Sequence, residues 1–543
     1  MTHFNKYLLL ILICSKVFGS EPFRKHYDIL KYDLFLNIDM QSGSLFGKNT
    51  ICFLTDSAIN KIVLHSNGLI IKAITSSDKK LHYEQKNQEE KLIINSFFAP
   101  GDTHSLTINY EYDKNHFRSN GRQGFYFYTK NETVLENIAY TMSEPSDARC
   151  WYPCWDEPND KVVTEMRIRV DKNYLAASNG NLESETFDTD STRIFHWKTY
   201  YPITTYLVSF AISKYANFTD NYVAVTDSTK NIKLDYYVWR DDSAGVVFNA
   251  VRAFKLVPKM MAAFSNIYCE YPFEKYGMVS VFPFDFGGEE HQSMTTIHRY
   301  WLMGDEMGIA HELAHQWWGD MITCRTWKDI WLNESFATYS EYLWLESKTK
   351  DKKELKKKLI SYERYTPDWN KAIYDPEGQG IKLFSGIVYQ KGALVLHTLR
   401  SIVGDTCFFK ILKEYINKFE YGYADTEDFI RIVNSVTRKD LRWFFNQYIY
   451  AKGWPKLLYS TDYDNTTKNL KVSLEQKGNN DDFIYKLPLK IKINSKETLV
   501  KDIVFDGENR TQHFDFSIPE EPVSVEINPE KQIFVQIEKK KKI

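Results

Sequence analysis

A multidomain α+β fold is predicted by three features of this 543-residue chain. Apolar and polar residues alternate with a period of two near both ends, helical periodicity fills the middle, and the length exceeds what one hydrophobic core serves comfortably. Two β-rich regions therefore flank a mainly α-helical one, and two to four domains are expected.

Residues 1–19 read as a secretory signal peptide. Lys6 precedes the apolar run Tyr7 to Cys14, and Val17-Phe18-Gly19 offers a cleavage site before Ser20. That run is too short to cross a bilayer, which takes about 20 residues, and no later stretch is long enough. The expectation is a secreted or periplasmic protein without a transmembrane segment; a lipid anchor at Cys14 is the alternative, disfavoured by the bulk of Ile13. Six of the seven cysteines lie beyond the signal, too few for a disulfide scaffold, and Cys150-x-x-x-Cys154 is too common a spacing to define a metal site. Asn131, Asn217, Asn465 and Asn509 each begin an Asn-x-Thr acceptor, usable where the host glycosylates asparagine.

Residues 20–220 form the predicted N-terminal β domain, in which Tyr32, Leu34, Leu36, Ile38 and Met40 alternate with polar positions except for Phe35. Residues 221–453 form the mixed middle domain. It opens on the strand-like Ile232 to Trp239 and a long helix over 244–267, with further helices around 305–319, 332–349, 389–402, 407–419 and 426–450. Gly453-Trp454-Pro455 breaks the last of these. In 454–543, Tyr485, Leu487, Leu489, Ile491 and Ile493 share one face, which predicts a short C-terminal β-sandwich. The lysine-rich segment Lys348 to Lys358 reads as an exposed helical face, and the run Lys539 to Lys542 as a solvated terminus. Lys plus Arg at 69 against Asp plus Glu at 71 leaves a net charge of -2, so no global field recruits nucleic acid. The oligomeric state has no readable signature.

Chemistry concentrates in HELAHQWWGD, residues 311–320. On a helix, positions i and i+4 share a face, so His311 and His315 can direct their imidazoles at one point. Glu312 is the next residue round the helix and suits a general base rather than a ligand. A catalytic zinc ion takes three protein ligands and keeps one open position, and Glu334, in WLNES on the following helix, is the best third ligand. Glu341, seven residues further on, lies on roughly the same face and reads equally as a partner for a ligand histidine or as an exposed salt-bridge residue.

HELAHQWWGD followed by Glu334 resembles the gluzincin aminopeptidases of the aminopeptidase N and leukotriene A4 hydrolase type. Three further segments carry the resemblance: SEPSDARCWYPCWDEP at 143–158, PITTYLVSFAISKY at 202–215 and VYQKGALVL at 388–396. It implies a saddle-like N-terminal β domain, a thermolysin-like zinc catalytic domain and the short β-sandwich, with the chain ending before the large C-terminal helical domain of longer members. It implies a zinc aminopeptidase acting on peptide substrates with one zinc ion on His311, His315 and Glu334, Glu312 as base, and Tyr389 as donor to the developing oxyanion. GGEEH at 287–291 aligns with the family's GAMEN motif. On that alignment Glu290 binds the substrate amine, Glu144 is a second amine contact, and Gly287 and Gly288 let backbone approach the peptide. Glu289 stands where methionine is usual, near the pocket for the first side chain, and His291 where asparagine is usual. The rival readings are an endopeptidase or epoxide hydrolase on the same scaffold, or a catalytically silent peptide binder; the presence of all four of His311, Glu312, His315 and Glu334 argues against the last.

Overall fold

The computed structural model describes residues 25–115, 123–364, 370–375, 383–478 and 483–540, so the signal-peptide reading at 1–19 lies outside the described residues. In the N-terminal half a nine-stranded sheet is centred on Tyr27–Asp39, which pairs antiparallel with Ser44–Thr55 and parallel with Lys161–Asp171. Tyr32, Leu34, Leu36 and Ile38 all turn into the core, as the alternation predicts. Sheets of four and three strands complete this β-rich region. The four-stranded one includes Ile138–Thr141, and the chain leaving that strand carries Glu144 to the boundary with the next region.

A five-stranded sheet follows, in the spatial order Tyr215–Val223, Asn231–Trp239, Lys275–Val281, Thr295–His298 and Gly288–Glu289. The last is the edge strand, paired through Gly288 with Ile297 and Glu289 with Thr296. The single helix expected over 244–267 is instead two pieces, Ala250–Phe254 and α1, Val257–Ile267, and a third short piece, Arg240–Ser243, stands just ahead of that range. Gly245 is pressed against the carbonyls of Asp241 and Phe248, Asn249 caps the middle piece, and Pro258 opens α1, where its missing N–H costs nothing.

Next come α2 (Glu306–His315), α3 (Trp331–Lys348) and α4 (Lys352–Glu363). Beyond them lie a π-helical turn, Ile387–Lys391, and α5, Gly392–Val403. The helix expected over 426–450 stops at Thr437, where Arg438 adopts φ 54°, and resumes as Arg442–Phe445 and a second π turn, Asn446–Tyr450. The lysine-rich stretch is only partly an exposed face. Within it Lys356 donates to the Pro529 carbonyl and Lys358 to Glu341, so two of its ammonium groups turn inward.

The C-terminal region has a four-stranded and a three-stranded sheet, with Leu487, Leu489, Ile491 and Ile493 of one and Leu470, Val472 and Leu474 of the other in a common core. That core is continuous with the helical region, whereas the N-terminal sheets have their own, joined by Val279, Val281, Phe284 and Met294. A cleft of about 390 Å³ opens between the two, lined by Glu144 from one side and by α2, α3 and the edge strand from the other.

Candidate active site

Asp305 starts α2 by accepting the Gly308 N–H at 2.9 Å, leaving the helix pointing its second turn into the cleft. Ile309, Ala310, Leu313 and Ala314 are fully buried on the core side, which turns His311, Glu312 and His315 toward the cleft. The tryptophans that follow are structural. Trp317 donates to the Cys269 carbonyl at 3.0 Å, and Trp318 packs on Phe336 of α3 with ring centroids 4.8 Å apart, fixing α2 against α3.

Three donor atoms converge from the two helices. His311 Nε2 and His315 Nε2 are 3.1 Å apart, and Glu334 Oε2 lies 3.5 Å from the first and 3.4 Å from the second. Ligands held about 2.0–2.1 Å from a tetrahedral zinc ion are about 3.3 Å from one another, so this triangle fits that ion. The outer nitrogens are already committed. His315 Nδ1–H donates to the Trp318 carbonyl at 2.8 Å and His311 Nδ1–H to Glu341 at 3.1 Å, which leaves both Nε2 lone pairs for a cation. Electrostatics agree. Burial would raise the Glu334 carboxyl, but the charge of His315 and hydrogen bonds from both imidazoles outweigh it and hold it at about 2. Burial likewise opposes protonation of His311, yet Glu334 and Glu341 lift it to about 9. The cluster is built to surround positive charge.

Glu312 is buried beside this triangle and is not one of its three converging donors. Burial pushes its carboxyl up. The edge strand comes so near that a Cβ on Gly288 would lie 2.5 Å from the Glu312 carboxyl carbon.

A second group of acids meets at one end of the cleft: Glu144, Glu289 and Glu290 place carboxylate oxygens within 4.8 Å of one another, all three buried. Glu290 Oε1 lies 3.7 Å from His315 Nδ1 and is buried without a hydrogen-bond partner among the described residues. Gln316 sets the position of this loop, donating to the Glu290 carbonyl at 3.0 Å while accepting the Ser293 N–H at 2.8 Å. His291 is fully buried and 2.8 Å from the Thr296 hydroxyl; burial draws its imidazole down to about 3, and it stands outside the metal-binding set.

Tyr389 lines the cleft from the π turn, its ring stacked 5.9 Å from that of His311. Gly392 makes this possible: a Cβ there would fall 1.7 Å from Ser335 Oγ, which donates to the Val388 carbonyl. Burial raises the Tyr389 phenol well above its ordinary value, so it stays a proton donor.

The structure thus brings together in one cleft His311, Glu312, His315, Glu334, Glu341, Tyr389, Glu144, Gly287, Gly288, Glu289 and Glu290, all singled out from the sequence, whereas His291 does not line it. It adds Met142, Phe286, Trp301 and Phe384 to the walls, and Lys358 and Tyr362 behind Glu341. Single aromatic residues in loops carry no sequence pattern, and the inward turn of Lys358 is a tertiary event.

Residues 26–207 match the Peptidase M1 N-terminal domain and residues 252–448 the Peptidase family M1 domain. Probable aminopeptidase 1 of Sulfurisphaera tokodaii is 25% identical over 94% of this chain and 63% of its own length. Endoplasmic reticulum aminopeptidase 1 of Mus musculus is 27% identical over 74% of this chain and 45% of its own length. The chain thus spans about half to two thirds of the length of such relatives. Among solved structures, an M1 zinc metallopeptidase from Deinococcus radiodurans bound to a Tyr-Ser-Ala substrate shares the fold. It has a TM-score of 0.68 and 23% identity over 79% of this chain and 96% of that one. Legionella pneumophila aminopeptidase A, in complex with aspartic acid, gives a TM-score of 0.81 at 16% identity, over 96% and 61% of the two chains.

Proposed function

The chain belongs to peptidase family M1, and on that premise we propose that it is a zinc-dependent aminopeptidase that removes the first residue of peptides. The observation that carries the reading is the meeting, in one cleft, of the His311, His315 and Glu334 triangle with the buried carboxylates of Glu144, Glu289 and Glu290.

His311, His315 and Glu334 would hold the zinc ion. When bound there, zinc supplies positive charge for the scissile carbonyl and for the attacking water. Glu312 takes the proton from that water and returns it to the leaving amine, a role its burial beside the triangle supports. Tyr389 donates its phenol O–H to the carbonyl oxygen as that atom gains charge. Glu290 and Glu144 receive the α-ammonium by charge-assisted hydrogen bonds, which makes a free N-terminus a condition of productive binding. Glu289 lies among them, buried in the cleft wall, and on this reading it would face the first residue of the substrate. Gly287 and Gly288 offer a bare strand edge for the peptide backbone.

Export belongs to the same proposal, supported by Lys6, the apolar run Tyr7 to Cys14 and the small residue at 19. Among the described residues no helix is long and apolar enough to cross a membrane.

The test is a panel of fluorogenic substrates with free and N-acetylated termini, measured with and without a zinc chelator and after zinc is restored. Cleavage confined to free termini, lost on chelation and recovered with zinc, is expected. Equal cleavage of acetylated substrates would refute the exopeptidase reading.

A further inference from the structure

The cleft carries its own ruler. Along the edge strand, Glu290 sits at the carboxylate end, Gly288 touches Glu312, and a Cβ on Gly287 would lie 2.6 Å from Trp301 Cζ2. Along α2, His315 neighbours Glu290, Glu312 comes next, and a Cβ on Gly308 would lie 2.7 Å from Trp301 Cη2. Both elements give the same order: amine carboxylates, then base, then the Trp301 indole. A peptide held by its α-ammonium at the first station and cut at the second must run out across the third. Strands advance about 3.3 Å per residue, so the residue opposite Gly287 is the one just beyond the scissile bond.

Trp301 is pressed against two glycines, in slots no larger residue would leave open, and it lines the cleft. The exposed residues nearest it in the chain are apolar, although the Arg299 guanidinium lies 3.9 Å from the Phe248 ring beside them. Tyr300 and Met303 are 54% and 56% exposed, and Phe248 stacks on Tyr300 with rings 10° from parallel. Val246 and Val247 are also exposed, at 94% and 55%, and their segment is tied to the helical turn of Trp301 by the Asn249 N–H to Leu302 carbonyl bond. Exposed apolar side chains next to a residue that lines a binding cleft are candidates for ligand contact.

We propose that Trp301 is a specificity-determining residue. It selects a large apolar or aromatic side chain at the second position of the peptide, and Tyr300 and Met303 extend the same preference to the third. This rests on the aminopeptidase reading above and adds to it a substrate class: short peptides with apolar residues after the cleaved bond.

The experiment uses the zinc-loaded full chain and two tripeptide series with a common free first residue: one varies the second residue through Phe, Leu, Gly and Asp, the other varies the third. Release of the first residue is followed by chromatography. In the parent protein kcat/KM for Phe or Leu at position two is expected to exceed that for Gly by at least about tenfold. That ratio should fall toward one in Trp301→Ala and be largely kept in Trp301→Phe. A flat second-position series in an active parent protein would overturn the proposal by itself, even if Trp301→Ala failed to fold. So would a ratio that survives in a folded Trp301→Ala. Failure of the parent protein to cleave any free-terminus peptide would instead overturn the aminopeptidase reading.

Discussion

Glu341 stands behind the metal-binding cluster, and its removal should loosen zinc without touching a ligand. Its carboxylate accepts from His311 Nδ1 at 3.1 Å and from Lys358 Nζ at 2.6 Å, with the Tyr362 hydroxyl at 3.4 Å. In Glu341→Ala the imidazole loses the partner that orients it and enriches Nε2, and the Lys358 ammonium is left without its carboxylate beside the site. Both effects oppose a dication. Loss of such an outer partner costs about ten- to a hundredfold in metal affinity, or about 1.4–2.7 kcal/mol, and the stranded Lys358 places the expectation at the upper end. Lys358→Met acts in the opposite sense, because it deletes the competing cation and leaves the Glu341 charge to His311; zinc affinity should hold or tighten. Competition against a chromophoric chelator at neutral pH measures both. Parent-like affinity in Glu341→Ala, or equal weakening in both variants, would refute the reasoning.

Three further outcomes are expected. Glu312→Gln should retain one zinc per chain by metal analysis while turnover falls about 10²–10⁴-fold, since the base is lost and the ligands are not. Glu290→Gln should lower kcat/KM on free N-termini about ten- to a hundredfold, from one charged hydrogen bond, with zinc content unchanged. Lys275 is buried, donates to the Ser178 and Ser293 carbonyls at 3.0 and 3.1 Å, and is drawn by burial from 10.5 to about 7. Between those two values the unfolded chain binds the extra proton, so stability rises with pH. The parent should gain on Lys275→Met by up to about 1.4 kcal/mol per pH unit from pH 7 upward in denaturant titrations, and parallel curves would contradict this.

Local periodicity made much of this molecule legible. The alternation of Tyr32, Leu34, Leu36 and Ile38 reports a half-buried strand, because side-chain direction in a strand depends only on sequence parity. The four-residue step from His311 to His315 reports convergence for a similar reason, since one helical turn is nearly that long. Glu334 is the third donor in the structure, brought in by the packing of α3 on α2. What periodicity cannot register is interruption and approach. The stretch 244–267 has helical spacing throughout, yet Gly245 and Pro258 divide it; 426–450 is divided where Arg438 takes a left-handed conformation. Trp301, Phe384 and the inward Lys358 reach the site through tertiary contacts that leave no regular spacing behind.

The placement of chemistry in this cleft depends on absent side chains as much as on present ones. Glu312 can stand beside the edge strand because Gly288 has no Cβ, and Trp301 can wall the cleft because Gly287 and Gly308 have none. Tyr389 enters from the far side because Gly392 lets the π turn press against Ser335. A methyl group at any of these positions would meet atoms closer than real contacts allow, and the structure would have to open to receive it. Opening by even an ångström is the scale on which catalytic alignment fails. The base, the oxyanion donor and the downstream wall are therefore set by backbone approach, while the metal triangle is set by side-chain hydrogen bonds to Trp318 and Glu341. These two kinds of support are separable. Substitutions at the glycines should disturb turnover before metal content, and substitutions behind the histidines should disturb metal content first.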